Sequence, residues 1–174
     1  MTQNISTYTM SGVDESASFL GGLSTTENNI FTNCAVTTEK MTPIVSSTTF
    51  ADIPGLSVPV VAGGVYEISG RIPVSCTVNS GAKIALGGTA TLTSLDIVGT
   101  SYNGSTVNAR AGTNDTTLGT LIVGATAVTK DITFTGAFVA NTPGTITIQF
   151  AQDTSSLDET TALALSTLSV FRAA

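Results

Sequence analysis

The sequence predicts an all-β protein of the sandwich or barrel class, and three observations carry that prediction. The stretch 144–156, GTITIQFAQDTSS, sets Ile146, Ile148 and Phe150 on one side of an extended chain and Thr145, Thr147 and Gln149 on the other. Such an alternation marks an antiparallel strand with one buried and one wet face. Similar runs recur at short spacing from Met41 onward, as expected of many short strands. Between them fall Pro54-Gly55, Gly63-Gly64, Asn79-Ser80-Gly81, Gly87-Gly88, Asn103-Gly104 and Pro143-Gly144. Gly and Asn permit the positive φ of tight turns and Pro presets the first turn position, so these read as hairpin turns.

Taken in order, residues 1–40 are rich in Ser, Thr and Asn, with apolar islands only at Phe19-Leu20 and Ile30-Phe31. With no sustained period, they read either as an extended arm that docks on another subunit or as a disordered leader. Residues 41–174 are the expected sandwich, with strands at 43–50, 56–61, 65–74, 83–86, 91–98, 118–123, 131–140, 145–151 and 163–172. In 65–74, Tyr66, Ile68, Ile72 and Val74 share one face while Glu67, Ser69 and Arg71 share the other. Pro59 and Pro73 cannot donate to a ladder, so their segments should lie at an edge or end there. Polar residues and Gly dominate 99–117, which reads as a long exposed loop, and 157–165 reads as a short turn at most.

Composition bounds the function. The chain has 174 residues, within the range of one domain. It is 41% hydrophobic and only 10% charged, so Thr, Ser, Asn and Gly must cover much of the exterior. Mean hydropathy is +0.35, yet no apolar run approaches the roughly 20 residues of a membrane-spanning helix. Neighbouring protein subunits, and no membrane, are the expected cover for the apolar surplus. A net charge of −6 and the scattered cations Lys40, Arg71, Lys83, Arg110, Lys130 and Arg172 argue for no nucleic acid partner. Cys34 and Cys76 are too few and too far apart for a disulfide framework or zinc site, and read as reduced, mostly buried thiols. MTQNISTYTM has no basic segment followed by an apolar stretch, so no secretory signal is expected.

Catalytic chemistry is expected to be absent: catalytic residues none, metal ligands none, cofactors none. Histidine does not occur in the sequence, which removes the commonest general base, triad partner and transition-metal ligand. The adjacent pairs Asp14-Glu15 and Asp158-Glu159 would diverge on a strand and read as solvated acidic turns rather than a glycosidase pair. Asp153, Asp158 and Glu159 lack the alternating ligands of a calcium loop. Neither Gly63-Gly64 nor Gly87-Gly88 precedes a Lys-Ser/Thr pair, so a phosphate cradle is not expected. Phe134, Phe138 and Phe150 fall on apolar strand faces and read as core.

Three blocks carry a resemblance. The segment DIPGLSVPVVAGGVYEI, 52–68, resembles a pattern of bacteriophage virion proteins in which a strand ending near "GLS" leads through a glycine turn into an aromatic-bearing strand. GTITIQFAQDTSS and ALSTLSVFR, 164–172, resemble the closing part of the same pattern, and the blocks run in matching order across 43–172. Gly64 stands where a Lys is common, and 99–130 has no counterpart. The resemblance implies an antiparallel jelly-roll-like β-sandwich similar to trimeric tumour necrosis factor-like heads, preceded by the arm. The family resembled occurs in phage heads and tails alike. The missing secretory signal leads to the expectation of synthesis in the host bacterial cytoplasm. Together with the apolar surplus and the absence of catalytic groups, the resemblance leads to the expectation of a homotrimeric capsid decoration (cement) protein on the virion surface. Its partners would be the major capsid protein or neighbouring virion subunits. The alternative it allows is a tail-fibre or receptor-binding tip module, with 99–117 touching host polysaccharide.

Overall fold

The two-residue period of the sequence is realised as inside and outside faces. On the strand over 65–75, Tyr66, Ile68, Ile72 and Val74 are all buried while Glu67, Ser69 and Arg71 are exposed. Gly70 takes the remaining inward position because the Phe134 ring lies 2.3 Å from where its Cβ would stand. The computed structural model describes residues 32–173, which form eleven strands: β1 (Thr32–Val36), β2 (Ala51–Val60), β3 (Val65–Ser75), β4 (Ala82–Gly88), β5 (Leu92–Asn103), β6 (Thr106–Asn114), β7 (Leu121–Ala125), β8 (Asp131–Ala140), β9 (Gly144–Ala151), β10 (Thr161–Ala162) and β11 (Thr167–Arg172).

The strands make two antiparallel sheets. One runs β1-β11-β3-β8-β5-β6, with β10 also beside β3; the other runs β2-β9-β4-β7. The pairings nest: β1 with β11, β2 with β9, β3 with β8, β4 with β7. A chain doubled back in this way, with its first strand beside its last and successive strands alternating between sheets, is a jelly roll. The hairpin β5–β6 is inserted at the fold-back point and widens the larger sheet. Buried residues of both sheets interleave into one core that includes Leu56, Ile72, Ile84, Leu86, Ile97, Ile132, Phe138 and Phe150. Tyr66 stacks on Phe138 directly across the ladder, ring centroids 5.0 Å apart. Its hydroxyl accepts the Val61 N–H at 2.9 Å, so this buried aromatic keeps a polar partner.

The nested topology overturns several readings of the sequence. Gly63-Gly64, Asn79-Ser80-Gly81, Gly87-Gly88 and Pro143-Gly144 do not close hairpins; each lies where the chain leaves one sheet for the other. Pro54-Gly55 lies inside β2, where the register with β9 slips between Asp52 and Ser57. Only Asn103-Gly104 belongs to a hairpin: Asn103 pairs with Thr106, leaving Gly104 (φ 62°) and Ser105 as a two-residue turn. The exposed loop expected at 99–117 is therefore the end of β5 and all of β6. β6 is an edge strand with no buried residue, so it carries no apolar alternation to be read.

The strand expected at 43–50 is reduced to a single bridge between Ile44 and Thr160. The expected strand at 163–172 begins at Thr167, and the turn expected at 157–165 contains β10. β1 falls within the stretch assigned to the arm, so the sheet extends at least to Thr32, ahead of the expected boundary at 41; the remainder of the arm, 1–31, lies outside the described residues. Both prolines obey the ladder rule: Pro59 is on the edge strand β2, and Pro73 forms the last pair of β3 with β8.

Candidate functional site

The acidic residues near the C-terminus are the first place to look for chemistry. Asp158 accepts hydrogen bonds from the Thr77 hydroxyl at 2.6 Å and the Asn79 amide at 2.9 Å. Those two donors, Thr77 first, hold its carboxyl below the ordinary carboxylate value. Asp153 accepts instead from the Thr126 hydroxyl. The two carboxylates thus tie the one connection between β9 and β10 to two different neighbouring loops. Among the described residues no group of three His, Cys, Asp or Glu converges as a metal site would require. Asp14 and Glu15 lie outside the described residues.

Cys76 is a half-buried free thiol. The Thr129 N–H donates to its Sγ at 3.2 Å, and burial, the largest influence, raises its pKa. A thiol so held is a poor nucleophile.

The loops at this end of the sandwich are knotted by Gln152, which is fully buried. Its Oε1 accepts the N–H groups of Ser47 and Ser156, both at 3.1 Å, and its Nε2 donates to the carbonyls of Ile44, Ser156 and Asp158. The loops so tied carry exposed Val45 and Leu157, the latter 86% exposed, and the neighbouring loop held by Asp158 through Thr77 and Asn79 adds exposed Val78. Leu165, also exposed, has φ 65°, a left-handed conformation costly for a leucine. It is held there by its N–H bond to the Thr37 carbonyl and by two further bonds between Thr37 and Ser166. The arrangement is a rigid, partly apolar crown suited to contact with another surface.

The outer face of the larger sheet is the second extended surface. Cross-strand register places Phe171, Glu67, Ala137, Asp96 and Asn114 in one lateral row. The next row outward-facing residues are Ser169, Ser69, Thr135, Val98 and Gly112, followed by Thr167, Arg71, Thr133, Thr100 and Arg110. A shallow depression of about 300 Å³ lies over Glu67, Ser69, Thr135, Ala137, Ser169 and Phe171. Arg71 also pairs with Asp131 at 2.8 Å.

Neither surface was singled out by the sequence. Gln152 follows buried Phe150 and Ala151, so three consecutive buried positions break the alternation at the end of β9. That break, in the stretch FAQDTSS, was the available signal.

No protein-family model and no curated protein matches this chain. Among solved structures, the chain aligns with VP2 of infectious bursal disease virus in its subviral particle, at 12% identity and a TM-score of 0.22. The alignment covers 83% of this chain and 41% of that one, so this chain spans less than half the length of VP2. The superposition is too loose to bear on function.

Proposed function

We propose that this chain is a non-catalytic structural subunit of a phage virion, a capsid decoration protein that acts as a homotrimer. The observation that supports the reading above others is the nested pairing of β1 with β11, β2 with β9, β3 with β8 and β4 with β7, the jelly roll that the resemblance to virion proteins implies. The low charge and high apolar fraction favour burial between subunits related by closed symmetry. The acidic groups near the crown bond to loop donors, an arrangement that stiffens a contact surface. A protein of this kind stabilises the assembled shell by binding it and adding contact area between capsomers.

The test is a phage lacking the gene, assayed for heat-induced DNA release and for adsorption to cells. Particles are expected to assemble and adsorb but to release DNA at a lower temperature. Normal heat resistance with failed adsorption would instead assign the protein to a receptor-binding tip.

A further inference from the structure

We infer that the outer face of the larger sheet is a self-complementary contact surface that pairs two copies of this chain about a two-fold axis. The argument begins with charge. Glu67 and Asp96 flank Ala137 in one lateral row, and Arg71 and Arg110 lie in the row four residues along the same strands, with the uncharged row Ser69, Thr135, Val98 between. With a rise of about 3.4 Å per residue, the acidic and basic rows are about 14 Å apart. Glu67, Asp96, Arg71 and Arg110 are all exposed. Among the described residues the one ion pair touching these four is Arg71 with Asp131, which leaves the rest of the guanidinium fork open to a second carboxylate.

Face-to-face pairing needs a two-fold axis lying in the plane of contact. An axis parallel to the strands would set the acidic row of one copy on the acidic row of the other, which like-charge repulsion disfavours. An axis across the strands, along the Ser69–Thr135–Val98 row, sets Glu67 of each copy over Arg71 of the other. It also sets Asp96 of each copy one strand from Arg110 of the other. The charge pattern therefore selects a single arrangement.

Side-chain size agrees with it. Ser69, Thr133, Thr135, Ala137, Ser169 and Thr100 are short, so two such faces can approach to the roughly 10 Å of packed sheets. Five strands at about 4.8 Å by some 20 Å of strand length give about 500 Å² per copy. That is near the lower limit for specific association, so pairing in the micromolar range and a marked salt dependence are expected.

The test is the mass of the full chain by sedimentation velocity at tens of micromolar protein and low salt, with circular dichroism confirming the fold of each variant. The wild-type mass should be an even multiple of the subunit. Asp96→Arg and Glu67→Arg should each halve it, Asp96→Arg with Arg110→Asp should restore it, and about 0.5 M salt should weaken it. An odd multiple, an unchanged mass in both single variants, or a charge swap that fails to restore pairing overturns the inference. The outcome is separable from the homotrimer proposed above: six copies satisfy both, three copies retain the trimer alone, two retain the pairing alone, and a monomer removes both.

Discussion

The buried amide of Gln152 holds the N–H of Ser47, 105 residues earlier in the chain, at 3.1 Å. The same side chain bonds Ile44, Ser156 and Asp158, so one glutamine joins the segment entering β2 to the loop leaving β9. Removing it leaves the N–H groups of Ser47 and Ser156 and the carbonyls of Ile44, Ser156 and Asp158, all only partly exposed, without their buried side-chain partner. Gln152→Ala is expected to cost about 2–4 kcal/mol, read from urea or thermal unfolding. A loss below about 0.5 kcal/mol would show that the knot is ornamental.

Ser101 presents the opposite case. It is fully buried on β5, and its hydroxyl has no hydrogen-bond partner. Ser101→Ala removes an uncompensated polar group, and is expected to leave stability unchanged or raise it by about 1 kcal/mol, a Tm increase of about 2–4 °C. Destabilisation would mean that the hydroxyl is bonded in solution.

Two glycines with similar backbone angles should respond differently to alanine. Gly104 (φ 62°) has open space where a Cβ would stand, whereas at Gly81 (φ 57°) that Cβ would lie 2.1 Å from the Ala125 carbonyl oxygen. Gly104→Ala is expected to cost about 1 kcal/mol, the penalty of the left-handed conformation, and Gly81→Ala clearly more. Thermal melts of the two variants check the ordering.

Asp158 links stability to acid. Its carboxyl is held below the ordinary value of 3.8 by Thr77 and Asn79, so the folded state binds its proton more weakly than the unfolded state does. The resulting stabilisation is present above that ordinary value and is lost as pH falls through the lower folded value. Asp158→Asn should therefore differ from the wild type by a constant amount from about pH 5 upward, with the gap closing as pH falls below 3.8. A gap that does not close there would exclude the carboxylate as its source.

Truncation tests where the fold begins. Deleting 1–31 is expected to leave a cooperative β fold, whereas deleting 1–40 also removes β1 from the edge of β11 and the bonds of Thr37 to Leu165 and Ser166. The longer deletion should lower Tm substantially. Equal melting of the two truncations would show that β1 adds nothing to the sheet.

By itself the sequence determined the all-β class and the inward faces of β3, β8 and β9. The strand at 131–140 coincides with its expected limits, and 65–74 and 145–151 each differ by one residue, because these strands lie between two neighbours and their core-facing side chains recur every second residue. On β9 the expected wet face is not fully wet, since Thr147 is buried with its hydroxyl bonded to Ser57 of β2. Tertiary structure alone decided what each glycine turn connects. A glycine permits a local bend, but whether the next strand joins the same sheet or the opposite one depends on partners such as β11 for β1, more than 130 residues away. It also decided β6, whose polar residues are held through the backbone ladder to β5 and bury no side chain. The same holds for the Gln152 knot and the charged rows across the larger sheet. Both join residues distant in sequence, through register and burial that exist only once the sheets have formed.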